Sequence, residues 1–282
     1  MHIYISVDLE GTNGVLHSSQ TQPGESQYER ALKLMHAEVN AVIEGALKGG
    51  ATSFVINDSH FDMRNLRIED LHPSARLISG WQKPFSMVSG AQQGFSDKPF
   101  DCAFFIGYHS RAGSACGVLS HTYRSQIFFD VKLNGHSVGE TGLNAALLAS
   151  FNIPVAMVSG DDVYCQQAHE ELGNVTAVQV KRAISRYSAE QPSFVGTLKL
   201  LKEGAEKSLS NKKAWSLKKP ANPSNMEITM FDPAMADAAE LMPGIKRLDG
   251  RRIAFEHEDY SVLFKMMLGV GVLGASRKDP YF

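Results

Sequence analysis

The chain has 282 residues, a formal net charge of −2, and 43% apolar against 21% charged residues. This composition fits one large domain or two unequal ones and excludes a chain disordered throughout. There is no basic excess to recruit nucleic acid or an anionic membrane, and no apolar stretch approaches the ~20 residues of a membrane span.

The opening Met1-His2-Ile3-Tyr4-Ile5-Ser6-Val7-Asp8 has no basic region and meets an acid at once. It reads as a strand over 3–7 and not as a signal peptide. Residues 28–48 carry Leu32, Met35, Val39, Val42, Ile43 and Leu47 at helical spacing, and Gly49-Gly50 stops the pattern. Strands are expected at 53–57 and 75–79. The run Cys102-Ala103-Phe104-Phe105-Ile106-Gly107 is apolar enough for a central strand covered on both faces. Residues 127–133 and 136–138 flank Asn134-Gly135, a strong hairpin signal. A helix over 142–149 and a strand over 154–159 follow. Alternating strands and helices imply an α/β fold, mainly a parallel sheet flanked by helices in the Rossmann-like manner. The texture then changes. Residues 202–224 are polar enough for a helix and a linker, strands are expected at 226–231 and 252–256, and a helix over 260–269. The expected division is a catalytic α/β region over 1–195 and a smaller α+β unit over 196–282. Cys102, Cys116 and Cys165 form neither a disulfide framework nor a zinc ribbon, which points to a reducing cytoplasm.

Chemistry-bearing residues collect just after the strands. The first strand runs into Asp8-Leu9-Glu10-Gly11, the second into Asn57-Asp58-Ser59-His60, and the strand from Cys102 into Gly107-Tyr108-His109. Alternation puts Asp8 and Glu10 on one face of an extended chain. The C-terminal ends of parallel strands are where open α/β sheets bind ligands. Taken singly, each residue has a commoner explanation: a helix cap for Asp8 and Glu10, a turn for Asn57-Asp58-Ser59, a hydrogen-bonded imidazole for His60 or His109. Jointly they are oxygen and imidazole donors without thiolate, suited to zinc, manganese or iron. Glu140, in Val138-Gly139-Glu140-Thr141-Gly142, adds a fifth donor or else an acid in the first turn of a helix. Five donors with a shared carboxylate fit two metals roughly 3.5–4 Å apart, with Asp8 the natural bridge.

His121 follows the apolar run in Gly117-Val118-Leu119-Ser120-His121. It reads as a further ligand, a free base for proton transfer, or a histidine tied to a backbone carbonyl. Gly11-Thr12-Asn13-Gly14 lacks the phosphate-loop pattern and reads as a flexible loop beside the acids. Asp161 and Asp162 either line the same rim or cap a helix. Lys181-Arg182 is either a receptor for a substrate carboxylate or a solvated charged stretch. No Gly-x-Ser-x-Gly elbow or cysteine nucleophile motif is present.

At these residues the chain resembles the DppA-type D-aminopeptidases. The matching segments include Ser6-Val7-Asp8-Leu9-Glu10-Gly11, Asn57-Asp58-Ser59-His60, Lys83-Pro84-Phe85-Ser86-Met87-Val88, Phe105-Ile106-Gly107-Tyr108-His109, Leu119-Ser120-His121, Val138-Gly139-Glu140-Thr141-Gly142-Leu143-Asn144-Ala145, Ser159-Gly160-Asp161-Asp162 and Ile184-Ser185-Arg186. The resemblance implies a metallo-aminopeptidase that releases N-terminal D-residues from short peptides, D-Ala-D-Ala being the type substrate. It implies two zinc ions per subunit, with other divalent metals as substitutes, held by Asp8, Glu10, His60, His109 and Glu140 around a metal-bound hydroxide. His121 matches the family's catalytic histidine. The resemblance also implies a ring-like homo-oligomer, a decamer. The chain departs from the family pattern at Ser114-Ala115-Cys116 and after His121, which bears on substrate preference. Two other functions use related features: a dinuclear-metal phosphoesterase or other amidohydrolase, and a peptide-binding module without turnover.

Overall fold

The structure is a computed structural model and describes residues 1–94 and 98–276. Its main sheet has the order β3-β2-β1-β4-β7-β8-β9, formed by β1 (His2–Val7), β2 (Ser53–Asp58), β3 (Ala75–Ile78), β4 (Cys102–Ile106), β7 (Val155–Asp161), β8 (Thr176–Ser185) and β9 (Ser188–Glu190). The pairings from β3 through β8 are parallel, and β9 returns antiparallel on β8. All residues of β2, β4 and β7 are buried, as their near-continuous apolar runs require when helices cover both faces. Between β1 and β4 the strand order reverses direction. Chain crossovers diverge at that point and leave a crevice at the C-terminal strand ends.

On one face lie α1 (Tyr28–Lys48) and α4 (Phe194–Ser210), packed on each other and on Ile3, Ile5, Phe54 and Phe104. On the other lie α2 (Glu140–Ser150) and α3 (Asp162–Leu172). Their core continues into a second, antiparallel sheet of order β11-β12-β10-β5-β6. That sheet comprises β5 (Phe128–Leu133), β6 (His136–Ser137), β10 (Ser224–Met230), β11 (Lys246–Arg247) and β12 (Arg252–His257), covered by α5 (Pro233–Glu240) and α6 (Tyr260–Ser276). β5 and β6 come from before residue 195 yet pair in this later sheet, and α4 comes from after it nearly whole yet packs on α1. Both layers therefore draw on both sides of that position.

The Asn134-Gly135 hairpin forms with both residues at positive φ, 51° and 83°, as a two-residue turn between twisted strands demands. Other elements differ from the sequence reading. α3 and β8 fill 162–185, where charged and polar residues interrupt the apolar pattern. The polar segment's helix begins at Phe194, capped by Ser193, rather than at 202. α6 runs past Gly269 to Ser276. Its glycines lower helix propensity but permit close packing: a Cβ on Gly274 would lie 2.8 Å from the Ile127 side chain. Among the described residues, no helix is long and apolar enough to cross a membrane.

Candidate metal centre and cleft

The centre lies at the reversal between β1 and β4. Asp8 N–H continues the sheet by donating to Ile106 O at 2.8 Å, and Gly11 N–H donates to Gly107 O at 2.8 Å. A Cβ on Gly11 would stand 1.9 Å from Tyr108 O, and one on Gly107, whose φ is +70°, 2.3 Å from Asp8 O. Glycine at both positions lets the two strand-end loops touch, so Asp8 and Glu10 meet His109. β2 delivers His60 alongside, and Glu140 opens α2.

All five residues are buried, at 2–6% exposure. Asp8 faces two ways. Its Oδ1 is 3.2 Å from His60 Nδ1, and its Oδ2 is 3.4 Å from His109 Nε2. Glu10 Oε2 is 2.9 Å from the same His60 nitrogen, while Glu140 Oε1 is 3.4 Å from His109 Nε2. His121 stacks on His109 with ring centroids 4.0 Å apart, and its Nε2 is 3.7 Å from Glu140 Oε1. The six residues predicted from sequence thus form one contiguous cluster.

Backbone carbonyls orient all three imidazoles. Thr21 O sits 2.6 Å from His60 Nε2, Ser110 O 3.0 Å from His109 Nδ1, and Leu119 O 2.9 Å from His121 Nδ1. Each carbonyl takes the ring proton, so in the neutral ring the other nitrogen turns its lone pair toward the carboxylates. Burial alone would raise the Asp8 carboxyl, but hydrogen bonds and charge from His109 and His60 hold it well below the usual carboxylate range. Burial opposes charge on His60, yet Glu10 and Asp8 raise its pKa well above the ordinary value; Glu140 and Asp8 do the same for His109. The carboxylates therefore call for positive charge at the ring nitrogens.

A divalent cation fits that demand. His109 Nε2 and Glu10 Oε2 are buried without a hydrogen-bond partner, the latter despite its approach to His60. Unsatisfied buried donors and acceptors are costly unless something occupies them. Two overlapping sets, Asp8–Glu10–His109 and His109–His121–Glu140, place ligand atoms within 4.8 Å of one another.

Other expectations need correction. Lys181 is neither a substrate receptor nor solvated: its buried Nζ donates to Glu10 O at 2.6 Å, Thr12 O at 2.9 Å and Val15 O at 2.7 Å. The Gly11–Gly14 segment is therefore a loop wrapped around an ammonium, not a flexible one. Asp161 caps α3 through Tyr164 N–H at 2.7 Å and takes Val118 N–H at 2.8 Å, bracing the loop that carries His121. Asp58 is fully buried and accepts from Asn65 N–H, Asn65 Nδ2 and Leu66 N–H, fixing the turn that bears His60. No motif marks these supports, because a buried Lys or Asp looks like a surface one in sequence.

The centre floors a cleft of about 1180 Å³ walled by Trp81, Lys83, Arg124, Arg186, Tyr187 and the C-terminal half of α6. The M55 peptidase family, described as D-aminopeptidase, matches residues 1–269. The chain belongs to the M55 D-aminopeptidases. A D-aminopeptidase of Bacillus subtilis (strain 168) is 38% identical over 272 residues, covering 95% of this chain and 96% of that protein. The solved structure of a Zn-dependent D-aminopeptidase DppA from Bacillus subtilis, described as a self-compartmentalizing protease, superposes with a TM-score of 0.93 at 36% identity, covering 99% of this chain and all of that one. As an M55 family member, the protein is a metallo-aminopeptidase.

Proposed function

We propose that this M55 enzyme hydrolyses short peptides with N-terminal D-residues, of the D-Ala-D-Ala type, at a centre of two zinc ions. Asp8, Glu10, His60, His109 and Glu140 would hold the ions, with Asp8 the group shared by both histidines. One observation carries the paired reading: the two oxygens of Asp8 face different histidines, with Glu10 joining the His60 side and Glu140 the His109 side. The Zn-dependent relative of matching length supports the choice of metal. Zinc held there would supply Lewis acidity, lowering the pKa of a water and polarising the scissile carbonyl.

The chain's own groups do the rest. Thr21 O, Ser110 O and Leu119 O keep three lone pairs aimed inward. His121 is less buried than the ligands, with 19% of its side chain exposed, and its Nε2 faces Glu140 Oε1 at 3.7 Å. It accepts a proton from the attacking water and returns one to the leaving amine. The Tyr123 N–H, 2.7 Å from Glu140 Oε1, ties the His121 loop to the centre. The enzyme works in the cytoplasm as a ring-like homo-oligomer, a decamer on the family's pattern; the self-compartmentalizing relative supports a closed assembly.

The test is a panel of D-Ala-D-Ala, L-Ala-L-Ala and p-nitrophenyl phosphate, run on wild type and His121→Ala with zinc content measured alongside. Turnover of the D-peptide, lost in His121→Ala with zinc retained, is the expected result. Cleavage of the phosphate ester alone would replace the reading with a phosphoesterase. Zinc lost from His121→Ala would make the residue a ligand.

A further inference from the structure

Three lysine or arginine side chains line the cleft, and two are engaged by the protein itself. Lys83 Nζ donates to Asn57 Oδ1 and Asp58 O. Arg186 Nη1 donates to Ser120 O and Ser120 Oγ. Arg124 is different. Its backbone N–H bonds Thr122 O at 2.7 Å, but among the described residues its guanidinium has neither a carboxylate partner nor a hydrogen-bond acceptor. The group is half-buried nonetheless. Its carbon lies 5.2 Å from the centroid of the Trp81 ring, and its stem runs past Gly271 of α6, where a Cβ would stand 3.2 Å from Arg124 Cγ. A guanidinium stacked on an aromatic face keeps its edge N–H groups free for a planar anion.

The position is also constrained along the chain. Tyr123, whose N–H holds Glu140, immediately precedes Arg124, and consecutive Cα atoms are ~3.8 Å apart. An extended dipeptide spans about 7 Å. A short peptide with its amino end at the centre places its carboxylate about that far along the cleft, and Arg124 lines the same cleft as Asp8, His60 and Glu140. Burial lowers the pKa of Arg124, the mark of a charge short of compensation.

We infer that Arg124, backed by Trp81 and the Gly271 groove, receives the free C-terminal α-carboxylate of the substrate and so selects short free-acid peptides. This rests on the D-aminopeptidase reading. The geometry is bidentate: two guanidinium N–H groups donate to the two carboxylate oxygens.

The experiment compares kcat/KM for D-Ala-D-Ala and for its C-terminal amide in wild type, Arg124→Gln and Arg124→Lys, with zinc content and unfolding midpoint checked for each. Wild type should prefer the free acid. In Arg124→Gln the acid-to-amide ratio should fall roughly 10- to 100-fold, mainly through KM on the acid. Arg124→Lys should retain part of the preference, because the positive charge remains. A ratio unchanged within twofold in Arg124→Gln, or equal losses on both substrates, would overturn the assignment and leave Arg124 a packing partner of Trp81. If wild type cleaves neither peptide, the aminopeptidase reading fails first, and this assignment falls with it.

Discussion

Replacing Gly11 with alanine tests how the metal centre is assembled. The added Cβ would lie 1.9 Å from Tyr108 O and 2.5 Å from Gly107 C, whereas real Cβ contacts essentially never fall below 3.0 Å. Both partners are backbone, so no rotamer relieves the clash. The Asp8–Glu10 loop and the Gly107–His109 loop must separate by about 1 Å at that point, a scale set against metal–ligand distances that tolerate only ~0.2 Å. Across the same gap Asp8 Oδ2 and His109 Nε2 stand 3.4 Å apart, close enough to share a cation. Overpacking costs roughly 1–3 kcal/mol in stability, which a folded protein of this size survives. Affinity for zinc should suffer more, by roughly 10- to 100-fold or beyond, as displaced supporting groups do elsewhere. Competition of the purified protein against a zinc-selective chelator reads the affinity, and urea unfolding reads the stability. Gly50→Ala is the control: it strains the backbone at a positive φ, +91°, but its Cβ meets nothing within 4 Å. It should be destabilised without a change in zinc affinity. Zinc binding by Gly11→Ala at the wild-type level would refute the reasoning.

Two further predictions concern the supports beneath the centre. Lys181→Met strips the carbonyls of Glu10, Thr12 and Val15 of their buried donor and should lower stability by roughly 3–5 kcal/mol in urea; a loss below about 1 kcal/mol would contradict the role assigned to the ammonium. Glu38 is fully buried in α1, accepts from Asn13 N–H at 2.8 Å, and burial pushes its carboxyl from 4.5 up to about 8, against the opposing pull of that hydrogen bond and Lys181. The folded protein then keeps a proton that the unfolded chain has released, so this contribution is complete below about pH 4.5 and fades as pH rises toward 8. Unfolding curves at pH 5, 6.5 and 8 should fall more steeply with pH for wild type than for Glu38→Gln, by up to about 1.4 kcal/mol per pH unit; parallel curves would contradict it.

The parts legible in the sequence are those where local pattern and tertiary demand agree. Residues 28–48 bury one apolar face, and the helix forms over Tyr28–Lys48. Asn134-Gly135 needs positive φ twice and supplies the residues that accept it. Asp8, Glu10, His60 and His109 stood out because each follows an apolar strand, and the topology carries such positions to one crevice. Elsewhere tertiary context decides. β8 buries only Val178, Val180 and Lys181 of its ten residues, too short an apolar signal to mark a strand, and α6 crosses three glycines that look like stops but serve as contact points. Lys181 sits in a basic run, yet it is buried because the folded loop supplies three carbonyls around its ammonium. Thr21 O, Ser110 O and Leu119 O orient the histidines through the backbone, where side-chain identity leaves no trace. Arg124 acquires its meaning only when Trp81 and Gly271 close around it.

The central claim is that one carboxylate, Asp8, organises a pair of ions. Elemental analysis of zinc per subunit, in wild type and Asp8→Ala after dialysis against a weak chelator, tests it most directly. The account predicts two zinc ions per wild-type chain and neither retained by Asp8→Ala. One ion per wild-type chain, or full zinc content in Asp8→Ala, would contradict it.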